Sequence, residues 1–142
     1  MERAELSLLW LSGRDDEIIE RFRAADDRPG HQLSHGPLAL AQLRAGDREG
    51  AERTMGRLES FAAIDMDAAG WAASCHAWAG ETDRAFAHLA RALELGLHSP
   101  VFYEHPRLFE PIQRDPRWAP FIEDVRARAE HYRREMTWPV PG

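Results

Sequence analysis

The stretch Leu43-Arg44-Ala45-Gly46-Asp47-Arg48-Glu49-Gly50-Ala51 returns as Ala77-Trp78-Ala79-Gly80-Glu81-Thr82-Asp83-Arg84-Ala85, with Gly46 and Gly80, and likewise Ala51 and Ala85, 34 residues apart. The same offset relates Gly36 to Gly70, Ala39 to Ala73, Ala45 to Ala79 and Arg57 to Arg91. A fixed period of this length marks one supersecondary unit copied along the chain. Glycine just past a helix end takes the left-handed conformation without a Cβ penalty, and an acid or threonine after it can accept from the free N–H groups of the next helix. Gly46-Asp47 and Gly80-Glu81-Thr82-Asp83 therefore read as tight corners joining two helices.

The pattern extends on both sides of these corners. After them, Ala51, Met55, Leu58 and Ala62 fall at i, i+4, i+7 and i+11, and Ala85, Leu89, Ala92 and Gly96 repeat the spacing, so each second helix has one apolar face. Before them, Leu38, Ala39, Gln42 and Leu43 form one stripe and Trp71, Ala72, Cys75 and Ala79 another. A fainter copy lies upstream: Trp10-Leu11-Ser12-Gly13 places Gly13 33 residues before Gly46, and Ile18 and Phe22 follow it as Ala51 and Met55 follow Gly46. Residues with β-branched side chains are few and never alternate with polar ones, which predicts an all-α chain.

The 34-residue period, the small residues Ala39 and Ala73, the Gly-acid corners Gly46-Asp47 and Gly80-Glu81, and the alanines Ala51 and Ala85 that open the second helices resemble the tetratricopeptide repeat family. The resemblance implies a right-handed helical-repeat solenoid of about three helix-turn-helix units, 1–31, 32–65 and 66–97. Two departures stand out. The aromatic residue usual near the end of the first helix is replaced by Gln42 in one unit and His76 in the next, and no proline closes the second unit.

From His98 the period is lost and prolines cluster at positions 100, 106, 111, 116 and 120, which predicts short helices separated by turns. Ser99-Pro100 and Asp115-Pro116 each read as an N-cap with proline in the first turn, and Pro120 is expected to delay the helix that follows. Beyond it, Phe121, Ile122, Val125, Ala129, Tyr132 and Met136 form the stripe of an amphipathic helix capping the array, so that 98–136 is a closing segment and 137–142 an extended tail. The run from His105 to Trp118 looks like the closing segment of bacterial tetratricopeptide arrays in signalling and regulatory proteins.

Composition narrows the function. The 142-residue chain carries a net charge of −6 with arginines scattered among acids, which argues against nucleic acid as a partner. All 18 basic residues are arginine and lysine is absent, so Schiff-base chemistry and a phosphate-binding lysine loop are excluded. One cysteine, Cys75, rules out an internal disulfide, and no run is long and apolar enough to span a membrane; a cytoplasmic location is the expectation. The arginine- and alanine-rich composition points to a GC-rich bacterial genome.

In the family, the first helix of each unit lines a concave groove. The resemblance thus implies a binding surface of Ser7, Trp10 and Leu11, then Leu40, Leu43 and Arg44, then Ser74, Ala77 and Trp78, suited to an acidic or apolar protein or peptide segment. Tryptophan and arginine are frequent interface anchors. Lysine and asparagine, which co-chaperone members use on a terminal carboxylate, do not occur.

Catalytic and metal patterns are not expected. Neighbours on a helix point to different faces, so Cys75 and His76 should not form a dyad, and Cys75 reads as a buried inert thiol. The His31–His35 spacing falls among Pro29, Gly30, Gly36 and Pro37, an irregular setting. His88, His98, His105 and His131 are dispersed and read as solvent-facing or turn residues. The expectation is a non-catalytic adaptor with no cofactor or metal. The alternatives are a self-associating regulatory fragment of a larger signalling protein, homo-oligomeric in that case, and an enzyme or small-ligand protein with a helical pocket.

Overall fold

The computed structural model describes residues 8–24 and 35–135. Ser7, Pro29, Gly30, His31, Met136 and the segment 137–142 lie outside the described residues. Among those described, the chain is helical and contains no strand. None of its helices is long and apolar enough to cross a membrane. The chain divides into two compact units, Met1–Leu97 and His98–Gly142.

In the first unit, α1 is described at residues 8–11, followed by α2 (Asp15–Ala24), α3 (His35–Arg44), α4 (Arg48–Ala62), α5 (Met66–Trp78) and α6 (Thr82–Leu95). The corners show why the glycines recur. Gly13, Gly46 and Gly80 have φ of 75°, 81° and 81°, the left-handed region. At Gly46 the chain makes the bonds Ala45 N–H to Ala41 O, Gly46 N–H to Leu43 O and Asp47 N–H to Gln42 O, at 3.0, 3.2 and 2.9 Å. At Gly80 the same three run from Ala79 to Cys75, Gly80 to Ala77 and Glu81 to His76, at 2.9, 3.2 and 2.9 Å. At Gly13 they run from Ser12 to Leu8, Gly13 to Trp10 and Arg14 to Leu9, at 2.9, 3.0 and 2.9 Å. This is the Schellman arrangement, in which the last carbonyls of one helix are satisfied as the chain reverses. The next helix then opens identically, with Ile18, Ala51 and Ala85 donating to Arg14, Asp47 and Glu81. The sequence period is thus repeated bond for bond.

The caps differ in detail. The Asp47 carboxylate accepts from Gly50 N–H at 2.9 Å, as its position predicts, whereas Glu81 precedes α6 with no side-chain cap bond. Between α4 and α5 there is no glycine. Asp65 caps α5 by accepting from Asp67 and Ala68 N–H, and Arg91 of α6 donates to the carbonyl of Ala63 at 2.7 Å, which ties the proline-free corner down.

From α2 to α6 consecutive helices pack on one another, α3 also packs on α5, and α4 touches α6. Small residues set the approach. Ala39, Ala51, Ala73 and Ala85 are fully buried, and a Cβ placed on Gly36 would stand 2.5 Å from the Trp71 ring. Helix α5 is buried along ten successive residues, Ala68 to Ala77. Its sequence allows this because small and apolar residues occur on every side, with Ser74 and His76 the polar exceptions among the ten. The Cys75 thiol lies inside it, 3.8 Å from the Gly36 carbonyl, and burial pushes its pKa up.

In the second unit, α7 (Pro100–Glu104), α8 (Pro106–Phe109), a 3-10 turn (Glu110–Ile112) and α9 (Trp118–Glu135) surround an aromatic cluster. Tyr103 meets Phe121 edge-on at 5.0 Å between centroids, and Phe109 meets Trp118 at 5.7 Å. Ser99 caps α7 by accepting from Phe102 N–H. Asp115 instead accepts from Arg117 N–H, and α9 begins at Trp118, three residues after Asp115, so that Pro116 precedes the helix it was expected to open. Pro120 sits within the first turn of α9 rather than delaying it, because the N–H it lacks has no intrahelical acceptor there. The apolar stripe of α9 is shorter than its sequence suggests: Trp118, Ile122 and Val125 are buried, but Tyr132 is 57% exposed.

Candidate functional site

Of the nine residues assigned to a groove, the eight that are described do not share one surface. Trp10, Leu40, Ser74 and Ala77 are buried in the core, at 0 to 2% exposure, and offer nothing to a partner. The physical reason is the enclosure of α5 together with the close packing of α3 against it, which turns the inward faces of these first helices into helix–helix contacts. Ser7 lies outside the described residues. Leu11 and Arg44 are exposed, and Leu43 and Trp78 are half-buried.

Three of the members that reach solvent, two of them exposed and Trp78 half-buried, nevertheless share a register. Leu11, Arg44 and Trp78 each stand two residues before a corner glycine, at the C-terminal ends of α1, α3 and α5. The Arg44 guanidinium lies 5.9 Å from the centroid of the Trp10 ring, and its Nε is 2.9 Å from Asp15 Oδ2. Arg44 thus covers the tryptophan that was expected to stand beside it in the groove.

A second constellation forms where α4, α5 and α6 meet. Glu59 on α4 accepts from His76 Nε2 at 2.5 Å and from His88 Nε2 at 3.3 Å. His76 stands in the last turn of α5 and is 2% exposed; its other ring nitrogen, Nδ1, is 3.4 Å from Glu81 Oε1. The two imidazoles stack with centroids 5.1 Å apart and planes within 3° of parallel. Burial raises the pKa of Glu59, but the hydrogen bonds from both histidines outweigh it and hold the carboxyl below its ordinary value. Burial pushes His88 below its ordinary value, against the opposing pull of Glu59.

The reading of His88 as a dispersed, solvent-facing residue is therefore corrected: it is half-buried and meets His76 and Glu59. Cys75 and His76 do point apart, the thiol toward Gly36 and the imidazole toward Glu59. Spacing along the chain could not reveal a cluster assembled from three helices. The repeat could have: His76 and His88 stand 34 residues after Gln42 and Thr54, which are also paired, Thr54 Oγ1 donating to Gln42 Oε1 at 2.7 Å. Both units thus place a polar pair at the position where the first and second helices face each other. Comparison with family models, with curated proteins and with solved structures finds no match for this chain.

Proposed function

We propose that the chain is a tetratricopeptide-like helical-repeat module that docks a protein or peptide segment and catalyses nothing itself. The observation that carries this reading is the identity of the three Schellman corners, which gives Leu11, Arg44 and Trp78 equivalent places at the turn edge of the repeats. The docking surface is this edge, rather than a groove along the full length of the first helices. An aliphatic side chain, a guanidinium and an indole in one register suit a segment that is apolar with an acidic residue at its centre. The Arg44–Asp15 pair does not oppose this. A partner's carboxylate would join Asp15 on the guanidinium, which is 42% exposed and carries five N–H donors, and need not displace it.

The test is affinity capture with the wild type, Arg44→Gln and Trp78→Ala, each checked for unchanged helicity by circular dichroism. The expected result is that one and the same protein is lost from both variants. Its retention by both would remove the turn edge as the docking surface.

A further inference from the structure

We propose that Glu59, His76 and His88 bind a divalent transition-metal ion, with zinc the best match, through Glu59 Oε1, His76 Nε2 and His88 Nε2. The donor atoms of the three residues already lie within 4.8 Å of one another. An ion bound at about 2.0–2.2 Å from each donor holds them roughly 3.3 Å apart in tetrahedral geometry. The Glu59–His88 separation of 3.3 Å has this value, and the Glu59–His76 hydrogen bond of 2.5 Å must lengthen by about 0.8 Å to reach it. Both rings face Glu59 from a parallel stack. The half-buried His88 has the freedom to turn its lone pair into the gap, since rotation of an imidazole about χ2 is broad.

The surroundings favour an ion over a simple ion pair. His76 is enclosed and oriented at its far nitrogen by the Glu81 carboxylate, the arrangement that holds a proton on Nδ1 and directs the Nε2 lone pair at a metal. Glu59 and Glu81 together supply two negative charges for a dication. Arg84 of α6, whose charge reaches His88, pairs at 3.1 Å with Glu81 Oε2, the oxygen other than the one beside His76. Cys75 stays out of the set, so the donors are two imidazoles and one carboxylate, which suits zinc and disfavours cuprous ion. With three protein ligands and Glu59 partly exposed, the remaining position belongs to water. Coordination takes the Nε2 position of each ring, and a neutral imidazole keeps its single proton by carrying it on Nδ1, exchanged through solvent.

The experiment is a zinc titration of the full chain against a chromophoric chelator, with thermal unfolding measured with and without zinc. The wild type is expected to take up one equivalent and unfold at a higher temperature when loaded. His88→Gln and Glu59→Gln should each weaken binding at least tenfold and abolish the thermal shift, and Glu81→Gln should weaken it about 10–100-fold. His131→Gln, on the exposed face of α9, should change nothing. The proposal is overturned if the wild type fails to compete with the chelator, or if His88→Gln binds as the wild type does. Equal weakening by His131→Gln would likewise assign the zinc to surface histidines. His88 is half-buried, so its variant keeps the test decisive even if Glu59→Gln fails to fold.

Discussion

At the scale of single residues, His88 and Glu59 link the stability of the first unit to pH. In chelated, metal-free solution His88 titrates below its ordinary value of 6.5, because burial disfavours the imidazolium. The unfolded chain then binds the proton more readily than the folded one, and stability falls as the pH drops below 6.5. Glu59 lies below its ordinary 4.5, so it adds a second loss of the same sign as the pH falls through and below that value. Denaturant unfolding at a series of pH values should show the midpoint declining from about pH 6.5 downward in the wild type, and His88→Gln should flatten the upper part of that decline. A wild-type midpoint constant between pH 7 and pH 5 would contradict the burial of His88. None of this was legible from histidine spacing, because the three residues come from different helices and the cluster exists only once those helices pack. The fate of Trp10 was hidden for a similar reason: an indole that can anchor a partner can equally fill a core, and only the position of Arg44 above it decides which.

At the scale of elements, the corners were readable because only glycine takes their backbone conformation without strain. Gly46 and Gly80 share φ of 81°, and a Cβ at either meets nothing within 4 Å, so alanine there is opposed by backbone strain alone. Gly46→Ala and Gly80→Ala should each destabilise the chain by about 1 kcal/mol in urea unfolding. The same change at Gly56, inside α4 and equally uncrowded, should stabilise by about 0.5–1 kcal/mol through helix propensity. Three changes of the same sign would contradict the left-handed corners. The run of ten buried residues in α5 was less legible. Its stripe of Trp71, Ala72, Cys75 and Ala79 reads as one apolar face, while the alanines on its other sides are small enough to be placed equally well against solvent or against a neighbouring helix.

At the scale of the whole molecule, the helical class and the three corners of the first unit could be read from the period, whereas the helices of the second unit had to be read proline by proline. Prolines limit where those short helices begin, but the aromatic cluster they enclose depends on contacts between residues far apart in sequence, such as Tyr103 and Phe121. One feature of the first unit makes its integrity measurable without any label. Cys75 is the only thiol of the chain, and it sits at 0% exposure in the last turn of α5, the helix with the ten successive buried residues. A chromogenic disulfide reagent cannot reach it until α5 separates from its neighbours, so the reaction rate reports the frequency of that opening. In native buffer the reaction should be at least about a hundredfold slower than in denaturant, and it should accelerate in the Gly80→Ala protein in proportion to its lost stability. The molecule thus carries its own clock for local unfolding, readable with a spectrophotometer.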